Sequence, residues 1–480
     1  MLQFRPTTPN TLESSAIAAL RSRLTGKVTT SNDPDYDQAR LIWNGMIDRY
    51  PALIVSCASV DDVIAALGFA RDHQLLVAVR GGGHSVAGHS TCDGGIVIDL
   101  TPLKTIEVDP DARIAHVGGG VTWGELDAAT QAFGLATPGG VFSRTGVAGL
   151  TLGGGYGWLR STYGLACDNL IAAEVVTADG RVVMAGDGDG EDADLLWGLR
   201  GGGGNFGIVT RFTFRLHPVG PEVYFVFVVH DGEGEATEQL LRFFRDFCHT
   251  ASSSINPLAV CGIVPDDPEL FPIHTHGRRF VIFGALYAGP AEEGQRALRP
   301  LLDVAEPLVD FSGVMPYVDV QQVWDADYPD GMRYYWKSLN LASLNDDIIA
   351  KIADHARRQP SPKSTTDLWF VAGASRQATN GASAFHGRES AVLLGLEANW
   401  TDSNDDAENI AWAREFIAAM EPYSDGSRYL NFAGFQEEGE EMMRSAFGPH
   451  YERLVDLKQR YDPTNLFRLN QNIDPHPNGV

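Results

Sequence analysis

The sequence is poor in cysteine for its length of 480 residues, and no two cysteines form a CxxC pair. The five that occur are widely spaced, at Cys57, Cys92, Cys167, Cys248 and Cys261. An odd number of scattered cysteines predicts neither a disulfide framework nor a zinc site. We therefore expect no metal site in this chain.

Positive charge and long apolar runs are also scarce. Lys and Arg number 37 against 62 Asp and Glu, which gives a formal net charge of −25 without a basic stripe. Nucleic acid and anionic membrane surfaces attract clustered cations, so neither is an expected partner. No apolar run approaches the ~18–20 residues of a membrane span. The segment from Met1 to Pro6 lacks the basic region and apolar core of a signal peptide. We expect a cytoplasmic protein that is a monomer or a homodimer.

Two sequence patterns divide the chain. Up to His217, short β-like runs alternate with glycine-rich connectors and with helical stretches such as the one that a capping box opens at Ser59. From about Glu222 the β-like segments lengthen, as in Arg279 to Tyr287 and Val392 to Trp400, with helical stretches between them. Because single cores stop growing near ~250–300 residues, we expect two domains. The second pattern suits a large antiparallel sheet covered by helices on one face.

One glycine-rich loop follows a β-like run from Leu75 to Val79. It contains Gly81, Gly82 and Gly83, and His84 comes directly after them. Residues without Cβ let the backbone turn sharply and present its N–H groups to an anion. The pattern favours a phosphate-bearing cofactor with a nucleophilic histidine at its side. A tight turn with a packed histidine is the alternative, because a single glycine loop is a weak signal.

Further glycine-rich and aromatic blocks follow along the chain: Gly94 to Leu100, Val117 to Trp123, Thr145 to Trp158, Tyr163 to Leu170, Leu196 to Thr210, Tyr429 to Phe432 and Tyr461 to Ile473. The literal GxGxxG from Gly202 to Gly207 lies between a helix-like and a strand-like segment, the reverse of the Rossmann order. In their order and spacing, the blocks resemble the flavin domain of the vanillyl-alcohol-oxidase (PCMH-type) superfamily. The last two resemble the terminal segment of berberine-bridge-enzyme-like oxidases.

The resemblance implies an α+β fold: a PCMH-type two-lobed FAD-binding domain, plus a substrate domain with a large antiparallel sheet covered by helices. The implied segments are 1–217 for FAD binding, 218–428 for substrate binding, and 429–480 as a C-terminal segment that returns to the FAD domain. FAD is expected to bond through its 8α-methyl carbon to a single histidine, His84, which requires a neutral imidazole. The other residues expected at FAD are Arg80, Gly81, Gly82, Gly83, Ser85, Gly88, Thr145, Gly146, Gly149, Gly153, Gly154, Gly155, Ile208, Val209, Asn431, Asn470 and Asn472.

The resemblance has further implications for two residues that precede Gly153, namely Phe142 and Thr145. Many berberine-bridge-like proteins attach the flavin a second time, through a cysteine eleven residues before this glycine, and Phe142 stands there in this chain. A single histidyl bond is therefore expected, and Cys167 is expected to be a buried thiol. Three residues after Phe142, the family has a position that controls oxygen access. Thr145 occupies it, and since threonine is close to valine in size we expect an oxidase.

The resemblance does not supply a catalytic base. In related oxidases the second tyrosine of a Tyr-x-Asn-Tyr motif deprotonates the substrate, but Phe432 stands at that position. The candidate substitutes are Tyr429, Glu397, Tyr335 and Lys337. Each can equally be a packing or surface residue.

Strand alternation favours Glu397 among these candidates. Leu393, Gly395 and Glu397 share one face of the strand predicted from Val392 to Trp400. Leu393 and Gly395 fill positions at which relatives carry their base, so Glu397 is expected to reach the same pocket wall.

The expected activity is that of an FAD-dependent oxidase with a small-molecule substrate and O2 as its partners. It would remove a hydride from the carbon of an alcohol or sugar hydroxyl group and reduce O2 to H2O2. A flavin dehydrogenase, or an enzyme for oxidative ring formation on an aromatic natural product, is the alternative, because the usual tyrosine is missing. A flavin-binding protein without turnover is the rival from a different class.

Overall fold

The computed structural model describes residues 12–188, 191–377, 382–435 and 439–477. Helices combine with a mixed sheet and larger antiparallel sheets, so the predicted α+β class is confirmed. The segment from Met1 to Pro6 lies outside the described residues. Within those residues, no helix has both the length and the apolar character to cross a membrane.

The histidine loop follows a strand of a four-stranded sheet. The strands are β1 (Lys27–Thr30), β2 (Leu53–Ser56), β3 (Val77–Arg80) and β4 (Ile96–Asp99), in the order β1-β2-β4-β3. The neighbouring helices are α1 (Ser14–Arg23), α2 (Tyr36–Arg40) and α3 (Val60–Asp72). Helix α3 begins after Ser59, whose side chain accepts a hydrogen bond from the backbone N–H of Asp62, as the capping pattern predicts. It connects β2 to β3, which both pair with β4 in parallel.

The second sheet has five antiparallel strands. The strands of this region are β5 (Ile106–Asp109), β6 (Ile114–Gly118), β7 (Leu135–Ala136), β8 (Leu170–Val176), β9 (Val182–Gly186), β10 (Ile208–Arg215) and β11 (His217–Pro218). The sheet order is β5-β6-β10-β8-β9, and β7 pairs separately with β11. The helices are α4 (Trp123–Gln131), α5 (Val147–Leu152), α6 (Arg160–Tyr163) and α7 (Glu191–Leu199).

The third sheet is large and antiparallel, as predicted. Its strands are β12 (Glu222–Asp231), β13 (Ile255–Ile263), β14 (Arg279–Tyr287), β15 (Pro307–Asp310), β16 (Gly313–Pro316), β17 (Arg333–Leu341), β18 (Thr365–Phe370) and β19 (Val392–Trp400). The order is β15-β12-β14-β13-β18-β19-β17, and β16 also pairs with β12. The helices of this region are α8 (Ala236–Thr250), α9 (Ala291–Asp303), α10 (Tyr317–Val320), α11 (Asp346–Ala356), α12 (Ala374–Gln377) and α13 (Asp406–Met420).

The large sheet separates two apolar cores. Helices α8, α9, α11 and α13 pack on one face, over residues such as Leu339 and Leu394. The opposite face packs Leu258, Trp369 and Leu393 against Trp158 of the preceding domain. Because side chains alternate along each strand, a one-residue shift moves a side chain from the helix-covered core to this opposite face.

The C-terminal helices α14 (Glu440–Phe447) and α15 (Tyr451–Tyr461) pack on the five-stranded region, where Leu454 and Leu457 share a core with Leu195. The chain then turns at a fully buried ion pair, in which Lys458 Nζ lies 2.8 Å from a carboxylate oxygen of Asp462. The same carboxylate accepts the backbone N–H groups of residues 466 and 467. This packing joins the end of the chain to the N-terminal region, while the three segment boundaries stay a prediction.

Candidate active site

A cavity of about 330 Å³ lies between the glycine-rich loops and the large sheet. Its walls include residues 81–85, residues 145–146, the start of β10, Phe467, residues 469–471 and one face of β17 to β19. Among the described residues, no lysine or arginine lines it. The cavity therefore combines a backbone-rich end, formed by the glycine loops, with a side-chain-rich end on the large sheet.

Two glycine-rich segments touch through their backbones at this cavity. A Cβ added to Gly82 would lie 2.5 Å from the backbone of Gly146, and one added to Gly146 would lie 2.4 Å from the Gly82 nitrogen. Gly83 has a φ of 71°, a left-handed conformation that favours glycine. Any side chain at Gly82 or Gly146 would collide with the backbone of the other loop. This contact explains why glycine is required at these positions and why the glycine pattern indicated the cavity.

Aromatic stacking holds the imidazole of His84. Its ring centroid lies 4.3 Å from that of Trp43 at an interplanar angle of 18°, and 4.9 Å from that of Phe142. Burial, with a smaller effect from the charge of Arg144, lowers the pKa of His84 to about 3. The imidazole is therefore neutral at physiological pH, which is the state that bonding to a flavin requires.

The backbone-rich end fits an elongated cofactor with polar and apolar parts. His89 Nε2, Ser90 Oγ, Asn470 Oδ1 and Gln471 Oε1 are buried in its wall and have no hydrogen-bond partner within the described residues. Apolar wall residues, among them Leu100, alternate with these polar atoms. Buried polar atoms are normally satisfied, so unpartnered ones around a cavity indicate ligand contacts. The residues present fit FAD.

Most residues predicted to contact FAD line the cavity. They are Gly81, Gly82, Gly83, His84, Ser85, Thr145, Gly146, Gly149, Gly153, Ile208, Val209, Asn431 and Asn470. Asn431 donates to the Leu150 carbonyl at 3.0 Å, and a Cβ on Gly153 would meet its amide. The structure thus brings residues from both ends of the chain to one cavity.

Five of the predicted FAD contacts do not line the cavity. Arg80 turns its guanidinium to the Ala39 carbonyl at 2.7 Å. Gly88 faces Ile47, Gly154 faces Phe385 and Gly155 faces Ala166, so these three glycines serve close packing. Asn472 follows cavity residues but is itself outside the wall. The sequence pattern could not separate glycines that pack from glycines that line the cavity, and contacts of these five residues with FAD stay a prediction.

Two carboxyl groups lie side by side at the other end of the cavity. Glu397 pairs with Thr365 and Gly395 pairs with Asp367 in the β18–β19 ladder, so Asp367 and Glu397 are diagonal neighbours on one face. Both line the cavity. The hydroxyl group of Tyr328 donates to Glu397 Oε2 at 2.5 Å. Asp367 Oδ1 is buried and has no partner within the described residues.

Burial perturbs both carboxyl groups. It raises the pKa of Asp367 to about 7. Burial first, and then the negative charge of Asp367, raise the pKa of Glu397 well above its usual range. Two buried carboxylates at this spacing cannot both ionise easily, so the pair retains a proton at neutral pH. The two carboxyl groups therefore titrate as a pair, and Asp367 keeps an oxygen in the cavity wall that has no partner within the described residues.

Tyr429 lines the cavity but is engaged as a brace. Its hydroxyl oxygen accepts the backbone N–H groups of Gly155 and Tyr156 at 3.2 and 3.3 Å, and the amide of Asn431 at 2.9 Å. Burial raises the pKa of Tyr429 to about 12. A phenol held in this way stays protonated at neutral pH, which makes it a poor base.

Tyr335 and Lys337 do not face the cavity. Tyr335 lies in the core beneath the helices and accepts a hydrogen bond from Arg414 at 3.0 Å. Lys337 is two residues further along β17 and shares that face. Trp336, between them, lines the cavity and contacts Phe432 at a ring distance of 5.2 Å. Tyr335 and Lys337 thus lie on the helix-covered face of β17, and their proposed action on the substrate stays a prediction that this placement does not favour.

The sequence reasoning missed Asp367, Tyr328 and Trp43. Asp367 comes directly before the apolar run Leu368 to Phe370, and a charged residue inside a buried strand is a signal that could have been used. Tyr328 and Trp43 lie in loops without periodicity, so no sequence pattern indicates their positions.

Comparisons with known proteins match two segments of the chain that both contribute residues to the cavity wall. An FAD binding domain model matches residues 51–186, and a model described as "Berberine and berberine like" matches residues 428–474. An FAD-linked oxidoreductase of Dictyostelium discoideum is 32% identical over 439 residues, which covers 91% of each chain. The (R)-6-hydroxynicotine oxidase of Paenarthrobacter nicotinovorans is 31% identical over 461 residues, covering 94% of this chain and 97% of that one.

Solved structures show the same architecture. A crystal structure of 6-hydroxy-D-nicotine oxidase from Arthrobacter nicotinovorans superimposes with a TM-score of 0.84 at 29% identity, covering 94% of this chain and 98% of that one. The xylooligosaccharide oxidase of Myceliophthora thermophila C1, in complex with xylobiose, gives a TM-score of 0.84 at 23% identity, with 97% and 100% covered. The second likeness concerns the fold alone.

Proposed function

This chain belongs to the FAD-linked oxidoreductases with a berberine-bridge-like C-terminal segment, and from that premise we propose that it is an oxidase carrying FAD on His84. The proposed reaction removes a hydride from a carbon that bears a hydroxyl group and passes the electrons to O2, giving H2O2. The observation that carries the proposal is the pair of Asp367 and Glu397 in the cavity wall, because it supplies the base that Phe432 cannot.

His84 and the glycine loops hold the cofactor in this proposal. Bound FAD supplies a two-electron acceptor for the substrate hydride. The neutral ring of His84 provides the bonding nitrogen, and the absence of side chains at Gly82 and Gly146 lets the two loops that would hold the cofactor lie in backbone contact. Asn470 and Gln471 offer unpartnered oxygen atoms for its polar groups.

Asp367 is the proposed base. Its Oδ1 has no partner within the described residues, whereas Glu397 is engaged by Tyr328. Once ionised, Asp367 accepts the proton of the substrate hydroxyl group, while Glu397 keeps its own proton and remains fixed by Tyr328. The aromatic rings of Trp336, Phe432 and Tyr328 exclude water from this end of the cavity, and exclusion of water strengthens the electrostatic contacts within it.

An amine is the second candidate substrate, and one observation favours it. The cavity wall contains two carboxyl groups but, among the described residues, no lysine or arginine. A cationic amine would find a counter-ion there, and cation–π contacts with the aromatic rings. A C–N oxidation on an aromatic molecule therefore stays an alternative to alcohol oxidation.

The test is a peroxide-release screen with the purified holoenzyme over sugars, benzylic alcohols and amines. We expect one class to release H2O2 in air and to bleach the flavin absorbance without air. If a substrate bleaches the flavin but air restores it only slowly, the enzyme is a dehydrogenase. If no class bleaches the flavin, a binding protein without turnover becomes the better description.

A further inference from the structure

Within the described residues, no hydrogen bond to the His84 ring is found. Its aromatic contacts there are the stack on Trp43 and the tilted contact with Phe142. A histidine that ligates a metal or relays a proton is usually oriented by a hydrogen bond to its second nitrogen. At His84 an aromatic face takes over that role.

Trp43 itself is fixed from several directions. Its indole N–H donates to the Tyr328 carbonyl at 3.1 Å. Its backbone N–H donates to the Gly83 carbonyl at 3.3 Å, and its own carbonyl accepts the Gly331 N–H at 2.9 Å. Its other face stacks on Tyr334, with centroids 3.6 Å apart and planes at 13°. Trp43 is thus clamped between the histidine loop and the segment from Tyr328 to Tyr334 of the large-sheet region.

We propose that Trp43 is a positioning residue for covalent flavin attachment, an inference that rests on the proposed function. Stacking restricts the rotation of the His84 ring and keeps one nitrogen directed at the reacting carbon. Because Tyr334 stacks on the opposite face of Trp43, flavin attachment also depends on how β17 packs against the histidine loop. Preorganised geometry of this kind accelerates bond formation without any contact between Trp43 and the reacting atoms.

The bonding step balances in atoms and electrons. The new bond between the imidazole nitrogen and the 8α-methyl carbon replaces one C–H bond of the methyl group and one N–H bond of the imidazole. The two protons and two electrons released pass to the flavin ring and then to O2, which becomes H2O2. Trp43 takes part in none of these transfers, so its removal should slow attachment without altering the product.

The test compares Trp43→Leu with Trp43→Phe, which retains an aromatic face. Each variant is expressed, supplied with excess FAD, and sampled over time for flavin that remains with acid-precipitated protein. Loss of one aromatic stack predicts attachment about tenfold slower in Trp43→Leu, and Trp43→Phe should recover most of the rate. Trp324→Leu is the matched control, because Trp324 lines the same cavity but makes its ring contact edge-to-face with Phe227, 5.0 Å between centroids, and has no stack on His84 among the described residues.

The ratio of extractable to covalent flavin separates the outcomes. Total flavin near the wild-type level, with a slow rise of the covalent fraction, supports positioning. A variant that binds no flavin at all, or one that attaches it at the wild-type rate, overturns the proposal. If the wild type itself releases all its flavin in acid, the His84 bond does not exist, and the proposed attachment fails together with the role of Trp43.

Discussion

At the scale of single residues, the first prediction concerns the attachment of FAD to His84. In His84→Ala, FAD should become fully extractable by acid, because this ring is the only proposed point of attachment. Fluorescence on a denaturing gel measures the attached fraction, and mass spectrometry of a digest should place wild-type flavin on the His84 peptide. Cys167→Ala serves as the control and should attach flavin normally, since the Cys167 thiol is fully buried and burial raises its pKa. Flavin on any cysteine peptide would contradict the single bond.

Asp367 should govern the pH dependence of substrate oxidation. Its pKa is raised by burial to about 7, and a base must be ionised to act. The kcat/KM of the wild type should therefore rise with pH through about 7 and then level off. Asp367→Asn should lower kcat at pH 8 by about 10²–10⁴-fold, the range for loss of a general base. Glu397→Gln should keep the rise with pH and lose less activity. The reverse ranking would make Glu397 the base.

Thr145 should control the reaction with oxygen. In Thr145→Leu the added bulk narrows a packed wall, so reoxidation by O2 should slow by at least about tenfold, roughly 1.4 kcal/mol of barrier. A dye acceptor should still turn over. Stopped-flow reoxidation after anaerobic reduction gives the rate, and Thr145→Val, which keeps the volume, is the matched control. Equal reoxidation rates in Thr145→Leu and the wild type would show that Thr145 is not the gate.

At the scale of the element, strand alternation explains which predictions succeeded. The strands from Arg279 to Tyr287 and from Val392 to Trp400 have the predicted bounds, because apolar runs between turn residues mark both ends. The placement of Glu397 at the cavity follows from the same alternation. In β17 the side chains on both faces are buried, so composition does not show which face meets the cavity, and Tyr335 and Lys337 were chosen over Trp336.

Strand propensity explains why the sequence analysis did not identify Asp367 as a cavity residue. Aspartate is depleted in strands, so the apolar run that starts at Leu368 does not indicate that β18 already begins at Thr365. A residue unsuited to its element for structural reasons is often kept for chemistry. The glycine loops show a second limit of sequence-based prediction. The glycine pattern marked Gly82, which lines the cavity, in the same way as Gly154 and Gly155, which pack against Phe385 and Ala166. Only the three-dimensional packing distinguishes these two kinds of glycine.

Helix α4 contains a carboxyl group that should make stability depend on pH. Asp127 is buried, accepts from Gln321 Nε2 at 2.9 Å, and has its pKa raised by burial to about 7. Its folded pKa exceeds its unfolded pKa, so its ionisation favours unfolding increasingly from pH 4 to pH 7. Asp127→Asn should therefore stabilise the protein by about 2 kcal/mol or more at pH 8, with a smaller gain at pH 5. Thermal unfolding at both pH values tests this, and equal gains would contradict it.

At the scale of the whole molecule, Arg160 connects helix α6 to the large sheet. The residue is fully buried in α6, and its guanidinium donates to the carbonyls of Gly157, Pro257 and Phe370, the last two on the large sheet. Arg160→Met removes these three side-chain hydrogen bonds from a buried site and should cost about 3–5 kcal/mol. Arg299→Met removes only an exposed ion pair with Asp303 and should cost under about 1 kcal/mol. Similar melting temperatures for both variants would contradict this role of Arg160.

The histidine loop and residues 470–471 form opposite walls of the cavity but lie far apart in the sequence, and this separation has a consequence for biosynthesis. Asn470 and Gln471 leave the ribosome about 390 residues after His84. At about 5–20 residues per second, a nascent chain waits roughly 20–80 s with the histidine loop made and the opposite wall missing. In the proposed arrangement, FAD that lies between these walls would reach its final position only after translation has passed residue 471. A cell short of riboflavin at that moment would therefore accumulate full-length chains without cofactor, and not arrested fragments.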